Sequence, residues 1–133
     1  MSNLKVRVYY EDTDSGGVVY YANYLKFIER GRSELLRDLG FEQDQLINHQ
    51  NIIFAVRSVQ ADYLSPARFN DLLNVDTQVK EVRKASLIFL QKIMDLEQNK
   101  VLFKAQITIA CLNAQNFKPC AIPSNILERL NGQ

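Results

Sequence analysis

Cysteine is nearly absent: Cys111 and Cys120 are the only two in 133 residues. Two thiols at that spacing make neither a disulfide framework nor a zinc motif. Such usage suits a reducing cytosol, so a cytoplasmic location is expected. Cys111 sits in an apolar run and is most simply a buried thiol. Histidine is scarcer still. The single one, His49, falls in the polar stretch Ile47-Asn48-His49-Gln50-Asn51, where a solvent-facing loop position suffices. No group of His, Cys and carboxylates has metal-ligand spacing, and neither a metal nor a cofactor is expected. A dominant charge is missing as well, since 16 basic and 15 acidic side chains leave a net +1. That balance excludes a broad field for nucleic acid, and an anionic ligand must be met by a local cluster. No apolar run approaches the ~20 residues that span a bilayer. Met1-Ser2-Asn3-Leu4-Lys5 lacks the apolar core of a signal peptide, so none is expected. Repeats, low-complexity tracts and Gly/Ser/Pro linkers are also lacking. The 47% apolar and 23% charged content is that of an ordinary globular protein. A single domain over residues 1–133 is expected.

What is present is organised by period. Residues 4–11, with Val6-Arg7-Val8-Tyr9-Tyr10 at their centre, alternate weakly and predict a strand. Tyr24, Phe27, Ile28, Gly31, Leu35 and Leu39 then recur at steps of three and four, while Lys26, Glu29, Arg30, Arg32, Glu34 and Arg37 take the other faces. This is an amphipathic helix, and Gly40 suits its left-handed C-terminal stop. Gly31 lies on the apolar stripe, where its missing side chain lets a sheet come close. Phe41–Leu46 predicts a short helical turn. Four strand-like runs follow, Phe54–Tyr63, Leu72–Val82, Leu87–Leu96 and Val101–Leu112, and Pro123–Leu130 suits a short closing helix. In the second run Leu73, Val75, Thr77 and Val79 share one face. In the last, Val101, Phe103, Ala105, Ile107 and Ile109 do so. Alternation with short connections argues for antiparallel pairing. One long helix on an antiparallel sheet of about five strands is an α+β architecture.

The chemistry concentrates in Asp12-Thr13-Asp14-Ser15-Gly16-Gly17-Val18-Val19-Tyr20-Tyr21. A carboxylate in a glycine turn, ahead of a helix, stands near backbone N–H donors that polarise a carbonyl. Asp14 is the first candidate. Its structural alternative is a turn aspartate bonded to its own loop. Asp12 is expected to stabilise the turn. Lys80, Arg83 and Lys84 form a small positive patch around Glu81, either a solvated hairpin or a phosphate contact. The Tyr9-Tyr10 and Tyr20-Tyr21 pairs suit either packing or the lining of an apolar ligand channel.

The segment Val8-Tyr9-Tyr10-Glu11-Asp12-Thr13-Asp14-Ser15-Gly16-Gly17-Val18-Val19-Tyr20 resembles the motif of hot-dog acyl-CoA thioesterases. It is similar to the 4-hydroxybenzoyl-CoA thioesterase family and, within it, to the YbgC group associated with the Tol–Pal system. The likeness continues through Tyr24-Leu25-Lys26-Phe27-Ile28-Glu29-Arg30, Asp62-Tyr63-Leu64-Ser65-Pro66-Ala67-Arg68 and Arg83-Lys84-Ala85-Ser86. It implies a hot-dog fold, a long helix wrapped by the sheet, with protomers paired through their sheets as a homodimer or homotetramer with interfacial sites. It implies hydrolysis of acyl-CoA to free acid and coenzyme A. Asp14 matches the catalytic carboxylate, as nucleophile or as base toward water, and the Tyr21 N–H matches the donor to the thioester oxygen. Gly17 matches the glycine that admits substrate. Arg83, Lys84 and Ser86 fall where the family meets coenzyme A. YbgC relatives often carry histidine where this chain has Tyr21; a backbone donor survives that change, a side-chain role does not. Hydration of an enoyl thioester generally needs a histidine beside the carboxylate, and none follows Asp14. The alternative from another class is a weakly catalytic or non-catalytic module that binds acyl carrier protein or joins an envelope- or phospholipid-linked assembly.

Overall fold

The computed structural model describes residues 2–132; Met1 and Gln133, the ends of the expected domain, lie outside them. Five strands, β1 (Ser2–Arg7), β2 (Ile52–Tyr63), β3 (Leu72–Val82), β4 (Ser86–Asp95) and β5 (Lys100–Asn113), form one antiparallel sheet among the described residues. Their spatial order is β1-β3-β4-β5-β2. The long helix α1 (Asn23–Asp38) lies on one face, a short turn α2 (Gln43–Gln45) follows it, and α3 (Ser124–Asn131) closes the chain. This is the hot-dog fold.

Period explains the layers. Leu73, Val75 and Thr77 of β3 are all fully buried, as are Phe103, Ile107 and Cys111 of β5. They meet Tyr24, Phe27, Ile28 and Leu35 of α1, also buried. Each large apolar side chain so buried contributes about 1.5–3 kcal/mol. Leu39 ends α1, and Gly40 follows at φ +95°, a left-handed value that suits glycine. Gly31 is the contact point. A Cβ built there would stand 2.6 Å from Thr77 Oγ1, 2.8 Å from Val75 Cγ1 and 3.1 Å from Gln91 Nε2. The glycine therefore sets how closely α1 seats on β3 and β4.

Two sequence expectations need correction. The first strand ends at Arg7, and Tyr10–Asp12 form a single turn of 3-10 helix. Asp12 causes this, because its Oδ2 accepts from the Tyr9 N–H at 2.9 Å and closes the chain on itself. Arg32, assigned to a solvent face, is only 9% exposed.

β2 is an edge strand with a bulge. Val56 pairs with Ile109 and Ser58 with Thr108, so Arg57 is the extra residue. The insertion keeps Phe54, Val56, Val59 and Tyr63 on the helix-facing side, opposite Cys111, Ile109, Ile107 and Phe103.

Cys111 is fully buried, its Sγ 3.7 Å from Cys120 Sγ. Burial first, then Cys120, pushes its thiol up to about 12. In the folded protein a neutral-pH alkylating reagent is therefore expected to add once, at half-buried Cys120, with Cys111 labelled only after denaturation. Peptide mass mapping checks this.

Candidate active site

Asp14 sits in a loop pinned at both sides. Thr13 bridges Val19, and Val18 bridges Arg68. Between them the Asp14 N–H donates to the Val18 carbonyl and the Gly17 N–H to the Asp14 carbonyl, both at 3.0 Å. Gly17 has φ +79°, a value that favours glycine. A Cβ there would meet nothing within 4 Å, so the dihedral, not crowding, calls for glycine. The Asp14 side chain is exposed, and its Oδ1 accepts from the Gly16 N–H at 2.8 Å. That is the turn geometry, and it leaves Oδ2 without a partner among the described residues.

Asp12 is different in every respect. It is buried, and besides the Tyr9 N–H it accepts from Asn23 Nδ2 at 3.1 Å through Oδ1. With both oxygens engaged it is a fastening between the loop and the first residue of α1, as expected of a turn stabiliser.

The helix begins without a side-chain cap. The Tyr21 N–H has no acceptor among the described residues, so an uncommitted amide stands where the helix dipole is positive. The Tyr21 carbonyl, by contrast, accepts from the Tyr63 hydroxyl at 3.0 Å. Tyr24 is fixed beneath it, its hydroxyl oxygen accepting from the Ala67 N–H at 3.0 Å. Tyr63 packs edge-on against Tyr21, Tyr24 and Phe103. The Tyr20 hydroxyl is held above its ordinary value, chiefly by the Tyr21 side chain and least by the Asp14 charge. Sequence reasoning did not single out Tyr63. Its place at the end of a strand, before Ser65-Pro66, was the available signal.

Arg83, Lys84 and Ser86 lie far from Asp14 within one chain. Asp14 is at the end of the sheet where Arg7 pairs with Leu72. The three lie on the β3–β4 hairpin at the other end of β3, which has 11 residues, on the order of 35 Å away. Arg83 pairs with Glu81 at 3.0 Å, both exposed. Lys84 is exposed and Ser86 buried. The segment after β5 straps this hairpin, the Ile122 N–H donating to the Lys84 carbonyl at 2.8 Å, while β5 itself holds it through the Cys111 N–H, which donates to the Ala85 carbonyl at 2.9 Å. Within one chain the two halves of the expected site therefore do not meet.

The model of the thioesterase-like superfamily matches residues 8–130. The chain belongs to that superfamily. An acyl-CoA thioesterase, YbgC, from Haemophilus influenzae is 46% identical over 93% of this chain and 90% of its own length. The Helicobacter pylori protein of the same name is 38% identical over 96% of this chain and 98% of its own. Among solved structures, one described as "Probable Thioesterase" from Bartonella henselae superposes with a TM-score of 0.86 at 37% identity, covering 91% of this chain and 98% of that one. As a member of the thioesterase-like superfamily, the chain carries its Asp14 loop and α1 inside the matched span. No described helix is long and apolar enough to cross a membrane.

Proposed function

We propose that this chain is an acyl-CoA thioesterase, hydrolysing acyl-CoA to the free acid and coenzyme A. The observation that carries it is the extended likeness to acyl-CoA thioesterases across nearly the whole chain. The local geometry supports it: an exposed carboxylate, one oxygen uncommitted, precedes a helix that opens on an uncommitted amide.

A thioester is already activated toward acyl transfer, so the protein needs only a base or nucleophile and an oxyanion donor. Asp14 takes a proton from water as the water oxygen attacks the carbonyl carbon, or attacks that carbon itself through an anhydride. The Tyr21 N–H receives the developing oxyanion, a contribution of about 3–4 kcal/mol where such a donor has been deleted elsewhere. On the first route Asp14 hands that proton to the departing sulfur as the carbon–sulfur bond breaks. On the second the thiolate leaves first, and water then hydrolyses the Asp14 anhydride, freeing the acid, restoring the carboxylate and supplying the sulfur's proton. Gly17 keeps the approach free of a side chain, and Arg83 and Lys84, with Ser86 beside them, meet the phosphates of coenzyme A from a second protomer.

That second copy fits along β2. A 12-residue edge strand leaves a row of backbone groups unpaired, and Val56 and Val59 are 51% and 42% exposed. Pairing two such edges two-fold brings one protomer's hairpin toward its partner's loop. Release of free thiol from a panel of acyl-CoAs tests the activity; a pure sample inert toward all of them refutes it. The double variant Val56→Glu and Val59→Glu is expected to halve the mass seen by light scattering and to abolish turnover. An unchanged mass would remove β2 from the interface.

A further inference from the structure

A cleft of about 480 Å³ runs between α1 and β2, walled by Leu25, Ile28 and Arg32 on one side and Val56, Val59 and Ile107 on the other. Past Arg32 it meets a hollow of about 120 Å³ lined by Leu36, Phe54 and Phe89. The walls are apolar, yet a guanidinium stands between the two spaces. Arg32 is 9% exposed and makes one hydrogen bond, from Nη1 to Gln91 Oε1 at 3.0 Å. Gln91 is committed elsewhere, its Nε2 donating at 2.8 Å to both the Ile28 carbonyl and Thr77 Oγ1. Of the five donors of a guanidinium, four find no acceptor among the described residues, and no carboxylate lies within ion-pair distance. Glu29, the acid whose charge reaches Arg32, is engaged by the Ser33 hydroxyl at 3.2 Å. None of the nitrogens left without a partner is sealed from solvent, so the idle donors face the cleft, where a ligand oxygen can replace the water that otherwise meets them.

The cleft's direction suits an acyl chain. α1 and β2 run side by side, joined at one end by the Tyr63–Tyr21 hydrogen bond. From there the walls pass Leu25 and Val59, then Ile28 and Val56, then Arg32. Leu25 and Arg32 are seven residues apart, about 10 Å along the helix. A thioester held at the Tyr21 amide would send its acyl group down this wall toward the guanidinium. Lys26, Glu29 and Arg30 line the same cleft, so with Arg32 it carries three positive charges against one negative.

Resting on the thioesterase assignment above, we propose that Arg32 selects the acyl group at its far end, favouring chains that terminate in a carboxylate. The substrate class is the coenzyme A monothioester of a dicarboxylic acid, with the apolar walls covering its methylenes.

The test compares adipoyl-CoA with hexanoyl-CoA, which share a six-carbon acyl chain and differ in the terminal carboxylate. Wild type is expected to show the higher kcat/KM for adipoyl-CoA. In Arg32→Met the adipoyl-to-hexanoyl ratio should fall by roughly ten- to a hundredfold, the range of a hydrogen bond to a charged partner, with most of the change in KM. Arg32→Lys should restore part of that ratio. A wild type that prefers hexanoyl-CoA overturns the proposal, as does a ratio unmoved by Arg32→Met, which would make Arg32 purely structural. Failure of wild type on every acyl-CoA from acetyl to palmitoyl would instead strike the thioesterase assignment.

Discussion

Asp14→Asn is expected to lower kcat/KM for acyl-CoA by about 10²–10⁴-fold, the range of general-base help, with stability changed by less than about 0.5 kcal/mol. The two halves of that expectation come from one geometry. The side chain is exposed and holds a single hydrogen bond, from the Gly16 N–H at 2.8 Å. Asparagine keeps the acceptor oxygen for that bond, so the loop keeps its shape. What it loses is the charge that accepts a proton or attacks carbon. Asp12→Asn makes the contrast, because Asp12 is buried with both oxygens engaged. Steady-state turnover beside urea unfolding separates the two roles. Equal rates for wild type and Asp14→Asn would remove Asp14 from the chemistry.

Gly31→Ala is the second large effect, and its sign runs against intuition. In an exposed helix interior, alanine gains about 1 kcal/mol over glycine. Here the new methyl would stand 2.6 Å from Thr77 Oγ1 and 2.8 Å from Val75 Cγ1, both on a central strand. Either α1 lifts off the sheet or the Thr77–Gln91 hydrogen bond gives way, and with it the Gln91 amide that holds the Ile28 carbonyl and Arg32. Overpacking of this kind costs about 1–3 kcal/mol. A net loss of stability in urea unfolding is therefore expected. A gain would mean that the helix re-seats freely.

Much of this is legible in the sequence. The strict two-residue alternation of Leu73, Val75 and Thr77 gave β3 its bounds, Leu72–Val82, without change. The apolar stripe through Gly31 identified the helix and the face it buries. The failures have physical causes. Tyr9 and Tyr10 favour strands by propensity, yet one carboxylate three residues on bends them into a turn. Arg32 carries a charge, which predicts a solvent-facing position, but Gln91, 59 residues away in sequence, receives it in the interior. Local pattern holds no trace of that partner. Nor could it show that Asp14 and Arg83 occupy opposite ends of one sheet, which follows from strand order rather than from spacing.

The strap across the β3–β4 hairpin ties two distant stretches of sequence into one mechanical unit. Lys84 and Ala85 owe their backbone positions to amides of Ile122 and Cys111, so the hairpin's shape is dictated from downstream. Trimming the protein before Pro119 would release that hairpin and would also strip the buried Ile122, Ile126 and Leu130 from the core.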